Sequence, residues 1–286
     1  MENLAFGFAG FVIEEDRKLK LVYSPTLMKM RMLPARFEVP RIRLYTKFVL
    51  FATLLSFGTL SVSSINAQQK LSKRYPVSKN VRIELKNISG TITVESWSRD
   101  EVKLTALLDS PKANLSPRQT SEALIVDVMA DNRGRDVGDV NFKLQVPVNS
   151  SVDLETMRGQ ITVSNIRGGL VSAHVSSEGD IELIGIGART VNAQNNIGNI
   201  FFDGEIARGG TYRFQSSNGE ITIRIPADSA FNLEAAASNK KIALGQFWND
   251  GIKSFGEGRK MVGEVGAGQS RMWVTNFKGS ITFIRR

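Results

Sequence analysis

One phrase recurs six times along the chain: Gly90-Thr-Ile-Thr-Val, Gly159-Gln-Ile-Thr-Val, Gly179-Asp-Ile-Glu-Leu, Gly198-Asn-Ile-Phe-Phe, Gly219-Glu-Ile-Thr-Ile and Gly279-Ser-Ile-Thr-Phe. From Gly159 to Gly219 the successive glycines stand twenty, nineteen and twenty-one positions apart. A fixed period near twenty is the signature of a repeat architecture and takes precedence over any local reading. A degenerate copy, Lys241-Ile242-Ala243-Leu244, follows Gly219 by little more than one period, with lysine read in the glycine's place. From Lys241 to Gly279 is close to two more periods.

Within each phrase the pattern has period two. In Gly219–Ile223 the two isoleucines face one way and Glu220 and Thr222 the other, as on a strand. β-Branched residues dominate, which favours strand. A second alternating stretch, such as Leu170-Val171-Ser172-Ala173-His174-Val175, completes each unit. Turns such as Ser-Asn-Gly and Arg-Gly-Gly separate the stretches, with glycine where the backbone must visit positive φ. The mature chain lacks any long helical period and reads as all-β.

A longer echo relates Val146–Val163 to Ile225–Leu244. Pro147 matches Pro226, Val152 matches Phe231, Leu154 matches Leu233 and Glu155 matches Glu234, all at one constant offset close to four periods. Both prolines suit a strand start or a corner, where a missing N–H does no harm. The expected fold is a single-chain β-solenoid with coils of about twenty residues and equivalent strands stacked in parallel. The alternative is an antiparallel β-meander or sandwich, whose turns would be similarly spaced. One coil buries too few aliphatic side chains to offset the entropy of ordering its backbone, so coils must stack to be stable.

Ahead of the repeats, Arg36, Arg41, Arg43 and Lys47 form a basic region, and an apolar run from Phe48 ends at Ile65-Asn66-Ala67. That is the layout of a signal peptide with a small-residue cleavage site. A retained transmembrane anchor is the alternative, weakened by Ser56, Ser61, Ser63 and Ser64. The expected organisation is an N-terminal extension and basic region (1–47), an apolar export segment with its cleavage site (48–67), and a β-strand-repeat domain (68–286). Met1–Leu27 reads either as an overextended start or as a cytoplasmic tail. Within the repeat domain, 81–144 is expected to form an irregular first layer and 145–286 the regular coils. The chain is therefore expected to be exported, to the periplasm, the outer surface or beyond, with no stable membrane span after cleavage.

The chain's net charge of +9 invites a nucleic-acid reading. Nine Lys/Arg and five Asp/Glu fall at or before Ala67, which leaves the mature part only modestly basic, at a net of +5. Those charges are scattered, without basic runs or interleaved aromatics, so no nucleic-acid partner is expected. The absence of cysteine excludes disulfides, thiolate metal sites and a cysteine nucleophile.

No catalytic, cofactor-binding or metal-binding residues are expected. The one histidine, His174, sits in an alternating strand without a Ser or Asp partner at motif spacing. Asp127, Asp131, Asp136 and Asp139 cluster around Arg133 and Arg135 in a loop, and Glu155 and Glu234 fit an outward ladder better than an acid/base pair. Phe247, Trp248 and Trp273 are the candidates for an interaction surface, with Trp97 a further aromatic that could stack on sugar. The expected function is a non-enzymatic interaction module for an envelope, surface or carbohydrate ligand, the alternatives being a carbohydrate-active enzyme on a β-helix scaffold or a periplasmic structural protein without an external ligand.

The strings "GQITVSNIRGGLVSAHVSSEGDIEL", "GEITIRIPADSAFNLEA" and "VTNFKGSITF" resemble the bacterial β-strand-repeat family that bears the name adhesin, related to the head domain of auto-transporter adhesins. The resemblance spans Val81 to Phe283. It implies a repeat fold and surface adhesion, and it carries no catalytic residues to transfer. The departure from glycine at Lys240-Lys241 predicts a local bulge or loop. If the isoleucines of each phrase face inward, Ile221→Asp should unfold several coils together, costing about 4 kcal/mol or more by urea titration. A well-tolerated Asp there would reverse the face assignment.

Overall fold

The computed structural model describes residues 69–286. The expected N-terminal extension and the apolar segment read as an export signal lie outside the described residues. Helix among these is confined to one turn at Val128–Asp131 and a 3-10 turn at Gly245–Phe247. No helix among them is long and apolar enough to cross a membrane. The strands form two sheets, one of ten strands and one of eleven.

A single unit shows how the pattern becomes structure. Leu170–Glu178 belongs to the larger sheet and Ile181–Ile186 to the smaller. Val171, Ala173 and Val175 point inward from the first strand and Ile181 and Leu183 from the second, all fully buried. Each unit thus gives one strand to each sheet, with the core between them. Successive units pair in parallel and in register. Ile221 lies opposite Ile200, which lies opposite Ile181, then Ile161, then Ile92, while Ile281 extends the column beyond Ile221. Within the repeats, neighbouring units are therefore stacked side by side in parallel. Two facing sheets also give the stack the cross-section of a sandwich. Antiparallel pairing is confined to the two ends, at Gln69–Pro76, Glu101–Leu108 and Arg118–Gln119, and at Ile252–Phe255 and Lys260–Val265.

The glycine opening each phrase marks the corner between the sheets. A Cβ built on Gly159 would overlap the carbonyl oxygen of Gly90. Gly179 stands in the same relation to Gly159, Gly198 to Gly179, Gly219 to Gly198, and Gly279 to Gly219. The first five of these glycines also have φ between +109° and +152°, a region that side chains disfavour. Val140 begins the column beneath Gly90.

Buried polar side chains support this glycine column. Asn276, three positions before Gly279, donates from Nδ2 to the carbonyls of Gly219 (2.7 Å) and Ser280 (3.1 Å) and accepts from the Gly279 N–H at 2.8 Å. Asn195 donates to Gly179 and Asn199, and Ser216 to Gly198. Asn87 and Thr156 fill the same position and bond to corner carbonyls of their own coils, Asn87 reaching Val140 as well. None of the five is more than 3% exposed. They supply donors to carbonyls that the tight corner would otherwise leave unsatisfied.

Stack order departs from chain order at both ends. The 82–97 coil lies between the 123–147 and 151–164 coils, which are consecutive in the chain. Likewise the final coil, 270–285, lies between the 211–225 and 231–243 coils. Each time the chain must step over an inserted coil, and it does so with the same turn. The Ser150 N–H donates to the Pro147 carbonyl (3.0 Å) and the Ser229 N–H to the Pro226 carbonyl (3.1 Å). The long-range echo around the two prolines therefore marks two coil-skipping connections.

Beyond Ala237 the pairing of Ile242 with Ile281 puts Lys240, not Lys241, in the glycine's place. Residues 238–240 bend away as a loop, as the missing glycine predicts. The interval from there to Gly279 does not hold two further coils. It forms the Ile252–Phe255 and Lys260–Val265 hairpin, which extends the larger sheet antiparallel to Phe231–Ala237.

Two outcomes follow for stability. Gly219→Ala forces the Gly198 carbonyl aside and adds backbone strain, so it should cost about 3 kcal/mol or more in urea unfolding. Gly134→Ala, at φ +70° with open space around it, should cost only about 1–2 kcal/mol. Equal costs would show that corner packing is not what requires glycine.

The second concerns Tyr212, whose buried hydroxyl accepts from the Ala207 N–H (2.7 Å) and lies 3.1 Å from the Ala188 carbonyl. Burial raises its pKa above the ordinary 10.0, so the fold favours the neutral phenol. This contribution is full below about pH 10 and is lost as pH rises through the raised value. Tyr212→Phe should be less stable at neutral pH by about 1–3 kcal/mol. It should lose less stability than the parent on further alkalinisation, leaving the slope due to Tyr75, whose pKa is also raised by burial. Thermal melts taken from mildly to strongly alkaline pH check both.

Candidate functional site

The outer face of the larger sheet displays side chains in straight rows across four strands: Leu170–Glu178, Thr190–Ile197, Thr211–Asn218 and Ser270–Asn276. The middle row is Ser172, Asn192, Arg213 and Trp273. One flanking row is His174, Gln194, Gln215 and Thr275, and the other is Leu170, Thr190, Thr211 and Arg271. All twelve alternate with buried core residues and so point outward. None is a carboxylate.

Acidic residues on the two neighbouring strands border this area, each with its own cation. On the preceding coil Asp153 lies 3.3 Å from Arg82 and Glu155 3.2 Å from Lys86. The hydrogen bond to Glu155, and then its charge, hold the Lys86 pKa above its ordinary value. On the far side Glu234 lies opposite Trp273 and 3.7 Å from Lys260. Between these borders the Arg213 guanidinium lies over the Trp273 ring, 5.4 Å from its centroid, a contact worth about 0.5–1 kcal/mol at an exposed site. Arg213, Gln215, Glu234, Ala236, Trp273 and Thr275 line a shallow depression of about 180 Å³.

A larger cleft of about 430 Å³ lies between Glu205, Arg208, Pro226, Asp228 and Gln269. It opens beneath the connection that steps over the final coil. Glu205 is engaged there by Arg167 (3.7 Å) and Arg286 (4.0 Å). Its volume follows from that crossing, and it gathers no row of aligned groups.

Of the three aromatics expected at an interaction surface, Trp273 is half-buried within the face just described. Trp248 is 51% exposed, on the connection after the 3-10 turn. Phe247 is a core residue, 5% exposed and packed against Phe231 and Phe283. Adjacent in sequence, Phe247 and Trp248 thus lie in different environments, and no ring contact among the described residues joins Trp248 to Trp273. Trp97 stands elsewhere, its Nε1–H donating to the Glu101 carbonyl at 2.7 Å. The six glycines, Gly90, Gly159, Gly179, Gly198, Gly219 and Gly279, form the single corner column.

Three of the four loop aspartates singled out in the sequence have local partners for their carboxylates. Asp127 accepts from the Ala130 N–H as a helix cap, Asp131 accepts from the Ser116 N–H, and Asp136 accepts from the Gly138 N–H. Glu155 lies opposite His174 and Glu234 opposite Trp273, in different rows with several coils between them. They cannot flank one scissile bond. Among the described residues no cluster of three or more His, Asp or Glu side chains is placed to hold a metal ion.

Sequence reasoning missed Arg213, Arg271, Asn192 and Gln194. They lie in the strand of each unit that precedes the glycine corner, outside the repeated phrase. Aligning these strands backwards from each corner would have placed them in rows.

No known family matches the sequence, and no curated protein matches it. Several solved structures are similar to it at low identity. A "putative cell adhesion protein" from Clostridium sporogenes is 10% identical, with 77% of this chain and 100% of that chain covered, at a TM-score of 0.45. A "putative adhesin" from Bacteroides fragilis is 12% identical over 77% of this chain and 99% of that one, at a TM-score of 0.36. A "putative lipid binding protein" from Parabacteroides distasonis is 12% identical over 76% and 97%, at a TM-score of 0.26.

Proposed function

We propose that the chain is an exported, non-enzymatic interaction module of the cell envelope or surface, adhesin-like, and that it binds through the outer face of its larger sheet. The observation that carries this reading is the carboxylate-free block of aligned positions at the centre of that face. Twelve outward side chains stand in register, with a half-buried tryptophan among hydroxyls, amides and two arginines. A face held by a stacked core is rigid, so a ligand meets groups that need little ordering, and this lowers the entropic cost of binding. The export part of the reading rests on the basic and apolar segments ahead of Gln68.

The opposite face is the natural control. Its outward positions include Thr162 and Thr222, in coils built on the same core. Labelled protein should bind to bacterial envelopes or cells, and Trp273→Ala combined with Arg213→Glu should lower that binding at least tenfold. Thr162→Glu with Thr222→Glu should leave it unchanged. An equal loss from both pairs, or none from the first, would remove the larger sheet's outer face from the reading.

A further inference from the structure

Taking that face as the binding surface, we infer that its ligand is an acidic polysaccharide, specifically a chain bearing uronic-acid carboxylates, laid along the stack axis across the strands. The inference rests on the reading of the face given above.

Charge comes first. Arg213 and Arg271 both project from the face, both are exposed, and neither forms an ion pair among the described residues. The bordering carboxylates Asp153, Glu155 and Glu234 are each paired with a different cation, Arg82, Lys86 and Lys260. The twelve aligned positions therefore present two positive charges with no anion among them, and they complement a ligand that brings the anions. Guanidinium matches a carboxylate through two parallel hydrogen bonds, which favours that anion for these side chains.

Shape and periodicity come next. Parallel strands are roughly 4.8 Å apart, so each row offers a side chain at that interval along the stack, polar at every position but Leu170 and Trp273. The rows through Asn192 and Gln194 supply amides and hydroxyls that both donate and accept, as a polyhydroxylated chain requires. Trp273 offers an apolar ring surface to the C–H face of a sugar, and the Arg213 guanidinium lies at that ring. A membrane surface would call for projecting apolar side chains, and within these rows only Leu170 and Trp273 are apolar, both partly buried. A protein partner would be expected to find a buried aromatic or aliphatic anchor pocket. The depression here is shallow and mostly polar.

The test uses the full chain and two purified polymers, polygalacturonate and neutral dextran, in affinity electrophoresis and calorimetry at physiological salt. Polygalacturonate should bind and dextran should not. Arg213→Gln and Arg271→Gln should each weaken binding by about tenfold, and Trp273→Ala comparably. Lys103→Gln on the opposite sheet should have no effect. Unchanged thermal midpoints for the arginine variants would show that the fold is retained. Equal binding of dextran, polygalacturonate binding indifferent to both arginines, or no polygalacturonate binding would overturn the inference. If polygalacturonate fails while Trp273→Ala with Arg213→Glu still abolishes binding to envelopes, the ligand class is wrong and the face is right. If envelope binding is also indifferent to that pair, both fall.

Discussion

The close approach of one glycine corner to the next governs the rest of the molecule. Stacked parallel strands must keep a fixed separation, and their corners must keep it too. At the corner between the sheets, the carbonyl oxygen of one glycine occupies the place where a Cβ on the next would stand. A side chain there would push the corners apart and pull the flanking ladders out of register. The same compression crowds backbone carbonyls away from water, and Asn87, Asn195, Ser216 and Asn276 answer by donating from within the core. Glycine and the buried polar residue three positions before it therefore act as one device. The 170–186 coil is the exception, with Val175 in the inward position and a register shift before Glu178, and Asn195 from the next coil reaches back to the Gly179 carbonyl.

A stack of coils has two open ends, and this chain closes both by the same manoeuvre. The second coil from each end is contributed by a segment remote in sequence from the coil outside it. The outermost coil is thereby tied into the middle of the stack through a Pro-x-x-Ser connection. Strand edges are treated accordingly. Gln69–Pro76, the longest edge strand, carries Lys70, Lys73 and Arg74 and ends in proline, while Arg118–Gln119, Ile242–Ala243 and Ile252–Phe255 are very short. Charged or very short edges discourage pairing with other chains. Contacts of the stack with its surroundings are thereby directed to faces instead of edges.

The two faces share a core but differ in chemistry. On the smaller sheet, several charges are paired within the face. Glu95 meets Lys143 at 3.2 Å, and the buried Asp203 is held by Arg224 and Arg286. On the larger sheet the pairs stand at the borders and the interior is left with arginines, amides, hydroxyls and a tryptophan. Because every second residue of a core-packed strand must point outward, the stack produces such faces without disturbing its interior. Binding chemistry can therefore vary from coil to coil while the inward columns remain aliphatic and aromatic.

The sequence by itself determined the repeat, the β character, the inward columns and the corner position of glycine. Each is a local consequence of side-chain alternation and of where a Cβ can be tolerated. It also exposed the echo around Pro147 and Pro226, though not its meaning. Only the tertiary structure decided that these prolines carry the chain over an inserted coil, that Gly279 stacks on Gly219, and that Lys240 occupies the glycine's place. Coil order depends on which strands find each other across long stretches of chain, and two coils of equal period are interchangeable by pattern alone. The same reason hid the candidate face. Arg213 and Trp273 are remote from each other in the chain, and they meet because parallel pairing brings the last coil against the 211–225 coil. Phe247 and Trp248 make the converse case, neighbours in sequence that the fold divides between core and surface.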